Sequence, residues 1–243
     1  MKAGLPEVVS FDIDGTLVDF LAVLRGALRE VGNALESLTG AGASFDELQA
    51  FRNGVAAESE YRSARLETIR RESFRRALAG FGADPDRHID ALWRVWSGYR
   101  ATHHHLYEDV LPTLRWLKDA GVGLVAASNG NTDLSRSEIH PLFDALFYSE
   151  KLGASKPDVR FFGEVARRVG ADPAAIVHVG DSLPEDYWAS LEAGFGAVLL
   201  QRAAVSKPEG VFAIRSLAEL GENWDGARQG MLVGTEASSR RIT

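Results

Sequence analysis

Four short segments of the chain combine residue types suited to chemistry on an anionic group. The first is Phe11-Asp12-Ile13-Asp14-Gly15-Thr16-Leu17-Val18-Asp19, in which two aspartates two apart precede a glycine that can make a tight turn. Such a pair can divide labour between a nucleophile and an acid or base. Alone it reads more readily as an Asx turn at a strand end, and the three later segments overturn that reading. Ser128-Asn129-Gly130 offers a hydroxyl and backbone N–H groups that suit a phosphate oxygen. In Ser155-Lys156-Pro157-Asp158 a lysine stands just ahead of a proline-initiated helix, where its charge can neutralise a bound phosphate. Gly180-Asp181-Ser182-Leu183-Pro184-Glu185-Asp186 adds carboxylates that complete an oxygen-donor site. Oxygen ligands beside a phosphate substrate point to Mg²⁺.

The elements that must hold these segments are short apolar runs: Val8 to Ile13, Val122 to Ala127, Ala145 to Tyr148, Ile176 to Val179 and Ala197 to Leu200. Each is too short for a buried helix, and most are followed by turn residues, so they read as buried parallel strands. Helical segments are expected over Leu111 to Ala120, Asp133 to Ile139, Pro157 to Gly170 and Pro184 to Ala193. Alternating strand and helix implies an α/β fold, a doubly wound Rossmann-like parallel sheet. In such sheets ligands bind beyond the carboxyl ends of the strands, where Asp12 and Asp14 fall.

The stretch between the first and second runs is far longer than a βαβ crossover needs. It predicts an inserted, all-helical domain. Leu21, Leu24, Leu28, Val31, Leu35 and Leu38 form an apolar stripe ended by Thr39-Gly40. Ser44 with Glu47 reads as a capping box, a long helix is expected from about Ala56 to Ala79, and Asp84-Pro85 opens another with Ile89, Leu92, Trp93 and Trp96 inward. The expected domains are a discontinuous core, 1–18 and 107–221, a helical cap, 19–106, and a loosely held tail, 222–243, with Trp224, Met231, Leu232, Val233 and Ile242 available to bury.

Taken together, Asp-Ile-Asp-Gly-Thr-Leu-Val-Asp, Ala-Ser-Asn-Gly, Ser-Lys-Pro and Gly-Asp-Ser-Leu-Pro-Glu-Asp, with Leu-Glu-Ala-Gly behind it, resemble the haloacid dehalogenase superfamily in order and spacing. The position of the insert resembles its helical-cap (C1-type) phosphatase branch. The resemblance implies Asp12 as a nucleophile that forms an aspartyl-phosphate, and Asp14 as the acid/base that protonates the leaving oxygen and then activates water. It implies Ser128 and Lys156 as phosphate holders, with Asn129 beside them. It further implies Asp181 as a Mg²⁺ ligand with Asp12 and the Asp14 carbonyl, and Asp186 in support behind them. Glu185 stands where Asn is common, and Ala189 where Gly is common.

Composition fixes the setting. Of 243 residues, 45% are hydrophobic and 25% charged, as in ordinary globular proteins. The net charge of −7 argues against nucleic acid as a partner. With no cysteine, thiolate metal sites and cysteine nucleophiles are excluded, and so are disulfides. The absence of a long apolar run and of a signal-like start predicts a cytoplasmic protein that meets no membrane. His103-His104-His105 reads as a polar hinge, because adjacent helical residues diverge too far to share one ion. Trp93, Trp96, Trp116 and Trp188 read as packing residues. Arg62, Arg71 and Arg76 follow Glu58, Glu67 and Glu72 by four, as on a salt-bridged exposed helix face. The expected function is Mg²⁺-dependent hydrolysis of a small phosphate monoester, a nucleotide or sugar phosphate. The alternatives are a phosphomutase, a 2-haloacid dehalogenase, which typically lacks the second aspartate, and a non-enzymatic phosphate-binding protein.

Overall fold

The computed structural model describes residues 4–203 and 209–222. The tail expected beyond Glu222 lies outside the described residues. The chain separates into two compact units, residues 1–19 with 106–243, and residues 20–105.

The first unit is built on six parallel strands: β1 (Val8–Phe11), β2 (Gly123–Ser128), β3 (Ala145–Tyr148), β4 (Ile176–Gly180), β5 (Gly196–Leu200) and β6 (Ala213–Ile214). Their order is β3-β2-β1-β4-β5-β6, with Val8 aligned to both Gly123 and Ile176. Helices cover both faces, as in a doubly wound sheet. Every residue of β1, β4 and β5 is buried, which is why these strands read as unbroken apolar runs. β6 was not expected; two residues give too short a pattern to detect. The order reverses between β1 and β4, so the ligand crevice of such a sheet opens at their carboxyl ends.

α5 (Val110–Asp119), α6 (Ser149–Leu152), α7 (Val159–Val169) and α8 (Ala189–Glu192) complete this unit. α7 packs Phe161, Phe162 and Val165 against Val8, Val125 and Ile176. The helix expected over Asp133 to Ile139 is instead two 3₁₀ turns, Leu134–Arg136 and His140–Leu142. Asp133 turns its carboxylate onto the Ser135 N–H at 2.9 Å, and Pro141 could not have continued a helix. The segment expected as one helix from Pro184 to Ala193 begins as a π-helical turn, Leu183–Trp188. Trp188 is 47% exposed, so it is not the packing residue expected.

A polar clamp joins the distant parts of this unit. Arg202, just past β5, donates two hydrogen bonds to the Asp109 carboxylate at 3.0 Å each and one to the Thr16 carbonyl at 2.7 Å, with its guanidinium over the Tyr107 ring. Asp109 also accepts from Ser216 Oγ at 2.7 Å and Leu217 N at 2.8 Å. Asp109→Ala is expected to cost about 2–4 kcal/mol, because it strands a largely buried guanidinium. Burial pushes the Asp109 carboxyl up, but the Arg202, Ser216 and Leu217 hydrogen bonds outweigh it and hold it below its ordinary 3.8. The wild-type advantage is therefore complete above that pH and lost as the pH falls through the depressed value. Urea unfolding of both proteins checks this. A difference under about 0.5 kcal/mol at pH 7 would make the clamp incidental.

The second unit consists of α1 (Phe20–Thr39), α2 (Phe45–Ala57), α3 (Leu66–Gly80) and α4 (Pro85–Thr102) around Leu28, Val31, Leu35, Leu48, Phe74, Leu78 and Leu92. Leu21 and Leu38, the ends of the expected α1 stripe, are 45% and 42% exposed. A repeat averaging 3.5 drifts about 20° per heptad on a straight helix, so only the middle of a stripe this long stays inward. The capping box is present: Ser44 Oγ accepts from Glu47 N, and Ser44 N donates to Glu47 Oε2 at 2.8 Å. Asp84 caps α4, as expected. The single helix expected over Ala56 to Ala79 is broken. α2 stops at Glu58 in extended backbone (ψ 141°), and a 3₁₀ turn intervenes before α3. Arg76 pairs with Glu72 at 2.9 Å and also with Glu58 across the break, while Arg71 pairs with Asp90 of α4 rather than with Glu67. α4 ends at Thr102, so the three histidines follow the helix instead of continuing it, and they form no metal-ligand cluster among the described residues. No helix of the described residues is long and apolar enough to cross a membrane.

Candidate active site

β1 delivers Asp12 to the sheet's carboxyl edge, where its N–H donates to the Val179 carbonyl of β4 at 2.9 Å. The chain then folds back on itself, with Leu17 N and Val18 N both donating to the Ile13 carbonyl at 2.9 Å. The turn needs Gly15 twice over. Its φ of +89° is disfavoured for any other residue, and a Cβ there would collide with the Asp181 carboxylate. The Asp14 carboxylate accepts from Thr132 Oγ at 2.6 Å. Gly130, after β2, leaves Asp14 room, because a Cβ at that position would strike Asp14 Oδ2.

Lys156 is buried and stands at the centre of the site. Its ammonium donates to Asp12 Oδ1 at 2.6 Å and Asp186 Oδ1 at 2.5 Å. Asp186 reaches this point from the π-helical turn and accepts from two further sides. Ser182 N donates to its Oδ2 at 2.9 Å, and His178, wholly buried in β4, faces its Oδ1 at 3.1 Å. The other ring nitrogen of His178 meets Ser10 Oγ at 3.0 Å. Burial holds this imidazole below its ordinary pKa, so it is neutral, with Nε2–H donating to Asp186 and Nδ1 accepting from Ser10.

Two carboxylates sharing one ammonium divide their charge unequally. Burial pushes Asp12 well above the usual carboxylate range; Lys156 opposes this, and Asp186 adds to it. Burial also pushes Asp186 up, but the His178 hydrogen bond and Lys156 overcome it and hold Asp186 low. For Lys156 the neighbouring Asp12 and Asp186 outweigh burial and keep the ammonium charged. Asp181 is more open, and burial with the Asp186 charge raises it to about 6. The elevations of Asp12 and Asp181 have one remedy, a cation. Oxygens of Asp12, Asp181 and Asp186 come within 4.8 Å of one another, an all-oxygen donor set suited to a hard divalent ion.

Ser128 Oγ accepts from Gly130 N at 3.0 Å, a contact that uses a lone pair and not the hydroxyl proton. Asn129 departs from the expectation that it faces a phosphate. Its Oδ1 accepts from Lys156 N at 2.8 Å, and its Nδ2 donates to Lys156 O at 2.8 Å and Glu185 Oε2 at 3.0 Å. The side chain thereby fixes the Lys156 backbone. Glu185, where Asn is common, closes that clamp.

The structure brings Asp12, Lys156 and Asp186 into contact and places Asp181 beside them, with Asp14 two residues from Asp12. Sequence reasoning missed Thr132 and His178. His178 did leave a signal, a lone polar residue inside the apolar run Ile-Val-His-Val.

A model of haloacid dehalogenase-like hydrolases matches residues 6–194. The chain is 31% identical to the glyceraldehyde 3-phosphate phosphatase of Methanopyrus kandleri over 81% of this chain and 84% of that one. It is 30% identical to the phosphoglycolate phosphatase of Caulobacter vibrioides over 82% and 81%. Among solved structures, the 2-haloacid dehalogenase of Pseudomonas syringae pv. Tomato superposes with a TM-score of 0.72 at 26% identity, covering 90% of this chain and 97% of that one.

Proposed function

The chain belongs to the haloacid dehalogenase-like hydrolases and is a phosphatase among them, and from that premise we propose that it hydrolyses small phosphate monoesters through a covalent phosphate on Asp12, with Mg²⁺ as its metal. One observation carries the choice of phosphatase over dehalogenase. A second aspartate, Asp14, lies two residues beyond the nucleophile and is held by the Thr132 hydroxyl, with Gly130 clearing its space. Displacing a halide needs no proton donor at the leaving atom; expelling an alkoxide does.

Asp12 attacks phosphorus through one carboxylate oxygen while Lys156 holds the other, which fixes the direction of approach. As the P–O bond to the alcohol breaks, Asp14 gives its proton to the departing oxygen. It then takes a proton from the water that attacks the aspartyl-phosphate, regenerating Asp12 and releasing inorganic phosphate. The Ser128 hydroxyl and the Lys156 ammonium neutralise phosphoryl oxygens throughout. Asp12 and Asp181, with the Asp14 carbonyl, would hold the metal. Asp186 has its oxygens taken by Lys156, His178 and Ser182 N and acts behind them. When bound, Mg²⁺ supplies the positive charge that three carboxylates and one ammonium lack.

A chelator is expected to abolish phosphate release, and added Mg²⁺ to restore it. Asp181→Ala should raise the Mg²⁺ concentration needed at least tenfold. Thermal unfolding reads the same binding without turnover: Mg²⁺ should raise the wild-type Tm and barely move that of the variant. Full activity in metal-free buffer would return the dehalogenase reading. A colorimetric screen of phosphate monoesters, with 2-chloropropionate as the competing substrate, tests the reaction class directly.

A further inference from the structure

Most arginines of the helical unit 20–105 that lie on α3 are answered by acids: Arg71 by Asp90, Arg75 by Asp86 at 2.7 Å, and Arg76 by Glu72 and Glu58. Arg70 is different. Its Nη2 donates to Gln49 Oε1 of α2 at 3.0 Å, whereas its Nη1 is shut away from solvent with no hydrogen-bond partner. Among the described residues no carboxylate comes within ion-pair distance of Arg70 or of Arg52. Other cations gather round it instead. The Arg70 and Arg100 guanidinium groups lie 4.9 and 5.3 Å from the centroid of the same Trp96 ring, and Arg100 also lies over Phe20. Burial first, then the charges of Arg52 and Arg100, depress Arg70 to about 10.

Stacking on Trp96 offsets part of the cost of drawing these charges together. It supplies no acceptor for the Nη1 hydrogens, because a ring face meets a guanidinium plane and not its edge. The missing partner has a definite chemistry. A planar oxyanion satisfies the forked edge of a guanidinium with two parallel hydrogen bonds, and it relieves the mutual repulsion of the neighbouring cations at the same time.

We propose that Arg70, flanked by Arg52 and Arg100 on the Trp96 face, binds a second oxyanion of a small molecule, a carboxylate or phosphate distinct from the phosphoryl group held at Asp12. The site stands independently of the phosphatase reading.

Malonate, a dicarboxylate with no phosphoryl group, probes the site in metal-free buffer by calorimetric titration of the full-length protein. It should bind the wild type in the millimolar range or tighter and lose at least tenfold in Arg70→Met, with Arg70→Lys similarly weakened, because an ammonium keeps the charge but not the fork. Arg94→Met, an exposed arginine of α4, serves as the control and should bind normally. Should Arg70→Met fail to fold, Arg70→Lys and Arg52→Met carry the same comparison. Equal malonate affinity in the wild type and the Arg70 variants, or no binding to the wild type, overturns the proposal.

Discussion

Asp12→Asn is expected to lower phosphate release by about 10⁴-fold or more on every ester while the protein stays folded. The amide keeps the shape of the carboxylate, but its nitrogen and oxygen are too weakly nucleophilic to displace an alkoxide. That loss corresponds to about 5.5 kcal/mol of transition-state stabilisation. Folding should tolerate the change for a reason visible in the charges. Asp12 is the member of the pair that burial and the Asp186 charge push upward, whereas Lys156 keeps Asp186 at 2.5 Å when Asp12 is neutral. The Tm should therefore fall by no more than a few degrees, or rise. Activity within tenfold of wild type on an aryl phosphate would sink the covalent mechanism. A collapse of Tm would show that Asp12 is a structural ion-pair partner first.

The second large effect depends on the ester used. Asp14→Asn should lower kcat/KM about 10²–10⁴-fold on an alkyl phosphate, whose leaving oxygen must be protonated as it departs, and much less on p-nitrophenyl phosphate, whose phenolate leaves unaided. With the aryl ester, loss of the base function slows hydrolysis of the intermediate, so a phosphorylated Asp12 should accumulate and be seen by intact-mass measurement. Thr132→Val, which removes the hydroxyl at 2.6 Å from Asp14 without touching phosphate chemistry, should show the same dependence on leaving group at smaller size. Equal losses on both esters would assign Asp14 to structure.

The residues that meet through a single strand end were legible before any coordinates, because a buried parallel strand leaves an unmistakable apolar run and its next residues must lie at the sheet's edge. Asp12, Asp14 and Asp181 follow this rule, whereas Lys156 lies beyond α6 and Asp186 within the π-helical turn. What stayed hidden depends on which strand ends become neighbours. Asn129 carries the same local signal as Ser128, yet it turns away to the Lys156 backbone because β2 and the loop after β3 come together there. The meeting of Thr132 with Asp14 likewise has no trace in either segment alone. The expected helices that failed, after Ala56 and at Asp133, did so for other reasons. At Asp133 a short polar side chain offered the backbone a competing hydrogen bond, and at Glu58 the backbone turns extended; an apolar count registers neither.

The place of β1 in the sheet also bears on how the molecule comes to be made. As residues emerge from the ribosome, β1 precedes the other described strands and has no partner until Gly123 arrives on one side and Ile176 on the other. Of the helices encoded between β1 and β2, α1 to α4 belong to the compact unit of residues 20–105. Synthesis thus runs outward from a strand that waits at the centre, and the cluster of Asp12 at its tip with Lys156 and Asp186 cannot form until those two residues emerge. The loop to be closed is long, which ordinarily makes folding slow. Nascent chain shorter than β4 therefore carries an apolar edge in search of a mate, the stage at which a chaperone has most to offer.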